Sequence, residues 1–127
     1  MRRLETGLRL RIFVGEDDKY KGRPLYEEIV VQAQQSRLAG ATVFRGYMGF
    51  GTASGLNPGK ILRSSKDLPV VIEILDTEAK VKAFLDILEQ LLKVGVATLD
   101  EVQVLRFGPA QKGSSATNEG VDLEAKR

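Results

Sequence analysis

The side chains that most often do chemistry near neutral pH are missing from this chain, which has no histidine and no cysteine. That removes the commonest general base, the usual zinc ligand and every thiolate nucleophile. Neither a Ser-His-Asp nor a Cys-His set can be assembled, and a metal would have to be held by carboxylates alone. What remains is a glycine-rich stretch, with five glycines and one proline in the fifteen residues from Gly46 to Lys60. A phosphate-gripping Walker loop needs glycine, four residues, then Gly-Lys-Ser/Thr. Here Gly55 precedes Gly59-Lys60 by the wrong spacing, and Ile61 stands where the magnesium-binding hydroxyl belongs. The dinucleotide fingerprint fails too, because Gly49-Phe50-Gly51 is followed by Ser54 in place of the third glycine. A more general anion site survives: backbone N–H groups at Gly49, Gly51 and Gly55, charge from Lys60 and Arg63, and hydroxyls from Ser64 and Ser65. The plain alternative is that these glycines only make turns.

Two acidic features invite similar weighing. Glu16-Asp17-Asp18 could hold a cation, although adjacent carboxylates on an exposed loop are usually just solvated. Glu73 lies in an apolar run, where an unpaired carboxylate is costly, so an ion pair at an interface, with Arg11 as the partner, outweighs a general-base role. Tyr20, Tyr26 and Tyr47 read as packing or anchoring residues. Catalysis is therefore not expected.

The elements that must position these residues follow from periodicity. Leu8, Leu10, Ile12 and Val14 alternate with Arg9, Arg11 and Phe13, the pattern of a strand with one face in a core. Pro24 opens a helix carrying Leu25, Ile29 and Ala33, which should end near Leu38 before Gly40. Ala41 to Arg45 is a second strand, followed by the long glycine-rich loop. Val70 to Leu75 is the strongest strand, and Asp76 or Thr77 can cap the next helix. That helix carries the stripe Val81, Phe84, Leu85, Leu88, Leu91 and Leu92 and stops at Gly95. Val102, Val104 and Leu105 belong to a last strand running to about Phe107, and the tail 108–127 reads as disordered. The order is βαββαβ, so the expected fold is an α+β, ferredoxin-like sandwich over residues 1–107 with a long loop between strands 2 and 3.

With both helices on one sheet face, Arg9, Arg11, Phe13, Val71, Glu73 and Leu105 are expected to share the other. A face so mixed in polarity suits a subunit interface with a few ion pairs, although a monomer with a mixed face is the simpler possibility. Charge is uneven: residues 1–66 hold 12 Lys/Arg against 6 Asp/Glu, and residues 67–127 hold 7 against 11. The basic residues are spread over separate elements without an aromatic-lined stripe, which argues against nucleic acid and suits a small phosphorylated ligand. No apolar run has signal-peptide or membrane-spanning length, so a cytoplasmic protein without membrane insertion is expected.

Four blocks taken together carry a resemblance: Leu10-Arg11-Ile12-Phe13-Val14-Gly15-Glu16, Gly22-Arg23-Pro24-Leu25-Tyr26-Glu27, Gly40-Ala41-Thr42-Val43 with Arg45-Gly46 and Gly49-Phe50-Gly51, and Leu68-Pro69-Val70-Val71-Ile72-Glu73. Over residues 8–107 the chain resembles the PII-like proteins of domain-of-unknown-function family 190. The resemblance implies a homotrimer with its sheets packed inward, an adenine nucleotide in clefts between subunits, and signalling through the loop at about Met48–Ser65, the T-loop. It implies no catalytic role and no resident cofactor. The Gly-x-Gly-Lys phosphate grip of PII proteins has no counterpart between Leu75 and Glu78, which leaves AMP or ADP rather than a triphosphate as the implied ligand. No tyrosine lies near the middle of the loop to accept uridylylation. The implied nucleotide residues are Gly46, Gly49, Gly51, Lys60, Arg63 and Ser64, with Arg23 as a neighbour. The implied partner is a protein such as a membrane transporter or channel. The alternative is a ligand-free assembly or docking module whose loop binds a partner without any small effector.

Overall fold

The structure is a computed structural model that describes residues 1–50 and 68–109. Its elements are β1 (Arg2–Gly15), β2 (Lys19–Tyr20), β3 (Arg23–Pro24), α1 (Leu25–Gln35), β4 (Ala41–Arg45), β5 (Pro69–Asp76), α2 (Glu78–Leu91) and β6 (Val96–Phe107). β4, β5, β1 and β6 form one antiparallel sheet in the order β4-β5-β1-β6, the ferredoxin-like arrangement. β2 and β3 make a separate two-stranded hairpin. Its turn is Lys21-Gly22, with φ of 50° and 82°, and glycine relieves the strain at the second position.

The core forms because β1 and β5 alternate in step. Leu10, Ile12 and Val14 on β1 lie level with Ile74, Ile72 and Val70 on β5, Leu8 stands opposite Asp76, and all are buried. Leu25, Ile29 and Ala33 of α1 and Val81, Phe84, Leu88 and Leu91 of α2 close over them. Each fully buried Leu, Ile, Val or Phe removes enough apolar surface from water to contribute roughly 1.5–3 kcal/mol. This layer is what holds both helices to one side of the sheet.

The helix ends show local chemistry at work. Pro24 sits just before α1 at the N-cap rather than within its first turn, and the Leu25 N–H donates to the Asp18 carbonyl (2.8 Å). α1 ends at Gln35, earlier than expected. Arg37 turns into the left-handed region (φ 61°), and the Leu38 N–H reaches back to the Ala33 carbonyl. Thr77 caps α2 by accepting from the Lys80 N–H, and Glu78 pairs with Lys82 one turn on. Lys82 holds the Glu78 carboxyl below its ordinary value through a hydrogen bond reinforced by charge attraction.

β1 and β6 are both longer than expected. They continue as a two-stranded ribbon from Arg2↔Phe107 to Gly7↔Val102, past the last β5 partner of β1. The tail expected after Gly108 and the loop expected at 48–65 lie largely outside the described residues, at 110–127 and 51–65.

Asp76 is the buried polar joint of the fold. It is 5% exposed, and its carboxylate accepts the Ala39 N–H (2.8 Å) and the Thr77 N–H (2.7 Å), tying the α1–β4 turn to the start of α2. Asp76→Ala strands both buried donors and should cost about 1–3 kcal/mol, read as a lower urea midpoint at unchanged m value.

Candidate functional site

Among the described residues three sets have the chemistry to act: the outer sheet face, the base of the glycine-rich connection, and a groove at the opposite end of the sheet. The outer face is a ladder of cross-strand pairs. Arg11 stands opposite Glu73, and its Nε donates to Glu73 Oε1 at 3.0 Å. Arg9 stands opposite Asp100, with a two-pronged contact at 2.6 and 3.3 Å. Arg9 holds the Asp100 carboxyl below its ordinary value, chiefly by hydrogen bonding, and Asp100 raises Arg9 by the same bond. Because the Asp100 value is depressed on folding, this tie stabilises above the ordinary aspartate range and is lost as pH falls through the depressed value. Phe13 lies between Val71 and Val96, and Phe44 lies beyond Val71.

Five of the six residues expected on one face, Arg9, Arg11, Phe13, Val71 and Glu73, therefore do share it. Leu105 does not. It stands opposite Leu4, and the unbroken register gives both the parity of Leu8 and Leu10, so they belong to the helix side of the sheet. The apolar pair Val104-Leu105 left the parity of β6 open in the sequence, and only Val104 is on the outer face. Asp100 and Phe44 are members that sequence reasoning missed. Counting β6 back from Val96 would have found Asp100, but no motif marks where the pairing begins.

At the base of the connection, the expected nucleotide residues Gly46 and Gly49 are described, and Gly51, Lys60, Arg63 and Ser64 lie outside the described residues. Gly46 and Gly49 both pack against Pro69. The Gly46 N–H donates to the Pro69 carbonyl at 2.6 Å, and a Cβ on Gly46 would sit 2.9 Å from Pro69 Cγ and 3.0 Å from its carbonyl oxygen. Gly49 would meet the same ring at 3.1 Å. The described contact of these two glycines is close approach to the returning chain, a role the sequence reading did not weigh. Arg45 pairs with Glu16 (2.5 Å), whose N–H donates to the Leu68 carbonyl (2.8 Å), and Asp18 accepts the Gly15 N–H (2.9 Å). The Glu16 and Asp18 carboxylates are thus engaged in holding the chain. Arg23 is bound to the buried Glu28 carboxylate, which also accepts from Gln32.

The groove, about 300 Å³, opens at the other end of the outer face, where β4 begins and β5 ends. Glu5, Gly7, Thr42, Glu73, Asp76 and Arg106 line it, with Arg106 already bonded to Glu5. Three carboxylates against one engaged guanidinium make a poor seat for a phosphate, and neither Gly46 nor Gly49, the two described nucleotide candidates, borders it. Among the described residues no group of three or more His, Asp or Glu could hold a metal ion. No described helix is long and apolar enough to cross a membrane.

Gly46→Ala should destabilise by about 1–3 kcal/mol, because the new methyl is driven into Pro69. Gly40→Ala, with nothing within 4 Å of the added carbon, should be neutral or slightly stabilising. Equal midpoints for the two variants in chemical denaturation would remove the close-approach role.

Known proteins align with this geometry. The chain is 38% identical over 96 residues to a UPF0166 protein of Aquifex aeolicus (76% of this chain, 90% of that one). It is 34% identical over 84 residues to a UPF0166 protein of Methanocaldococcus jannaschii (66% and 77%). Its fold is similar, at TM-score 0.59 and 19% identity, to CPII, a nitrogen regulatory PII-like protein from Thiomonas intermedia K12 bound to ADP, AMP and bicarbonate (80% and 91% covered). Residues 7–104 match the family model DUF190, described as "Uncharacterized ACR, COG1993", and the chain belongs to that family.

Proposed function

We propose that this chain is a trimeric PII-like signalling protein that senses AMP or ADP in clefts between subunits and acts on a partner protein through loop 48–65. The observation that carries the reading is the likeness of its fold to a PII-like protein that holds ADP and AMP. The outer sheet face supports assembly. Arg9, Arg11 and Arg106 on it are each paired with a carboxylate of the same chain, whereas Arg3, opposite Arg106, has a buried Nε without a partner among the described residues. Among the described residues, neither the acid-lined groove nor the Pro69-packed glycines offer a phosphate site, which supports a site that draws on Lys60, Arg63, Ser64 and Gly51 and on a neighbouring subunit. On this reading the protein is a cytoplasmic regulator without catalytic activity, and the partner is a protein such as a membrane transporter or channel. The nucleotide shifts the balance between loop arrangements that fit and do not fit that partner.

A thermal-shift panel with AMP, ADP, ATP, cyclic nucleotides and a sulfate control tests the reading. A ligand at a hundred times its Kd stabilises by about 2.7 kcal/mol, on the order of 10 °C for a domain of this size. AMP or ADP should give that shift and sulfate should not. Silence across the panel would favour the ligand-free docking module.

The pair Lys60→Ala with Arg63→Ala should weaken the responding nucleotide by about tenfold or more in calorimetry, the scale of one lost charge-assisted contact, while sedimentation mass stays the same. Unchanged affinity would remove these two residues from the site.

A further inference from the structure

Past the last β5 partner of β1, the ribbon of β1 and β6 is exposed in the reverse of what its polarity calls for. On the helix side Leu4 is 63% exposed, Leu105 51% and Phe107 76%, with Arg2 opposite Phe107. On the outer side Arg3, Val104 and Arg106 are half-buried. The ribbon end is also basic. Residues 1–6 and 103–108 carry three arginines against one glutamate, and that glutamate, Glu5, is bonded to Arg106. Among the described residues Arg2 and Arg3 make no ion pair, and the Arg3 Nε is buried without a partner. The Gly108 N–H donates to the Met1 carbonyl (2.8 Å) and ties the two strands together at this end. Leucine and phenylalanine side chains therefore stand in solvent with uncompensated guanidinium charge beside them.

We propose that this ribbon end is a docking surface for an anionic lipid bilayer, on which the protein rests without spanning it. Apolar side chains flanked by arginine suit the boundary between headgroups and acyl chains: the apolar part enters, and the guanidinium groups stay level with the phosphates. Size decides against a protein partner. Leu4, Leu105 and Phe107 expose roughly 400 Å² between them, about half of what one side of a stable protein interface buries. A bilayer needs no such area, because a few apolar side chains with cations beside them give reversible attachment, and repetition strengthens it. For that repetition the inference rests on the trimeric reading above. A threefold axis puts the same point of every copy in one plane, so three ribbon ends meet a flat surface together. The apolar patch is on the helix side, so docking does not compete with assembly through the outer face.

The full chain is centrifuged with sucrose-loaded vesicles of phosphatidylcholine alone, or of phosphatidylcholine with about one third phosphatidylserine, and the pelleted fraction is measured. Pelleting is expected with the anionic vesicles, with affinity lower by about fivefold or more on the neutral ones and at high salt. Leu105→Ser combined with Phe107→Ser should lower the affinity by about tenfold or more, and Arg2→Gln by about fivefold. Val94→Ser, at an exposed valine beyond the other end of β6, should leave it unchanged. All four positions are exposed, and a melting curve for each variant checks the fold. No pelleting with either vesicle, or pelleting that the serine pair and Arg2→Gln leave unchanged, would overturn the proposal. So would a sedimentation mass that falls in the serine pair, because it would put a second copy on the patch. A monomeric mass for the unsubstituted chain would remove the trimeric reading alone, and the vesicle comparison would still decide for or against the ribbon end.

Discussion

The pairing of β1 on its two sides sets the geometry of everything else. β1 runs antiparallel to β5 from Leu8↔Asp76 to Gly15↔Pro69 and to β6 from Arg2↔Phe107 to Phe13↔Val96, with no residue skipped. Side chains alternate with a period of two, so a slip of one residue on either side would send the whole apolar set to the wrong face. The register therefore decides which residues meet the helices, which arginine meets which carboxylate, and where Leu105 stands. Burial of Leu10, Ile12, Ile72 and Ile74 beneath α1 and α2 is what makes any other register expensive.

Much of this was legible in the residues. The strict alternation from Leu8 to Val14 and the stripe from Val81 to Leu91 each have a period that only one element satisfies, and the β-branched run from Val70 favours a strand. The pairing of Arg11 with Glu73 was readable because a carboxylate inside an apolar strand needs a cation at hand. Elements failed to show where periodicity was weak. Arg2 to Thr6 carries a single apolar residue, so the outer half of β1 had no signal. The β2–β3 hairpin has strands of two residues, too short for any period, and its Lys21-Gly22 turn is recognisable only through its backbone angles.

Gly46 and Gly49 show why a glycine-rich stretch is ambiguous. A missing side chain serves two ends: it bares an N–H to a ligand, and it lets another segment come close. Sequence distinguishes them only if the approaching segment is known, and Pro69 is 23 residues from Gly46 and 20 from Gly49 along the chain. The Gly46 N–H that an anion would use is already given to the Pro69 carbonyl. For Lys60, Arg63 and Ser64, residue type is the whole of the argument, because no period or pairing constrains where they stand.

The closure at Gly46 and Pro69 has a consequence for how the family can vary. The Gly46–Pro69 hydrogen bond, the Glu16–Leu68 hydrogen bond and the Arg45–Glu16 ion pair join the two ends of the connection without drawing on residues 51–67. For a segment pinned at its ends, the entropic penalty of length grows only logarithmically, about 0.6 kcal/mol for each doubling. A change of length between these ends leaves the joint itself, Gly46 to Pro69 and Glu16 to Leu68, intact. The scaffold can stay constant while this stretch is rewritten, so divergence in length between relatives should concentrate there without marking any loss of fold.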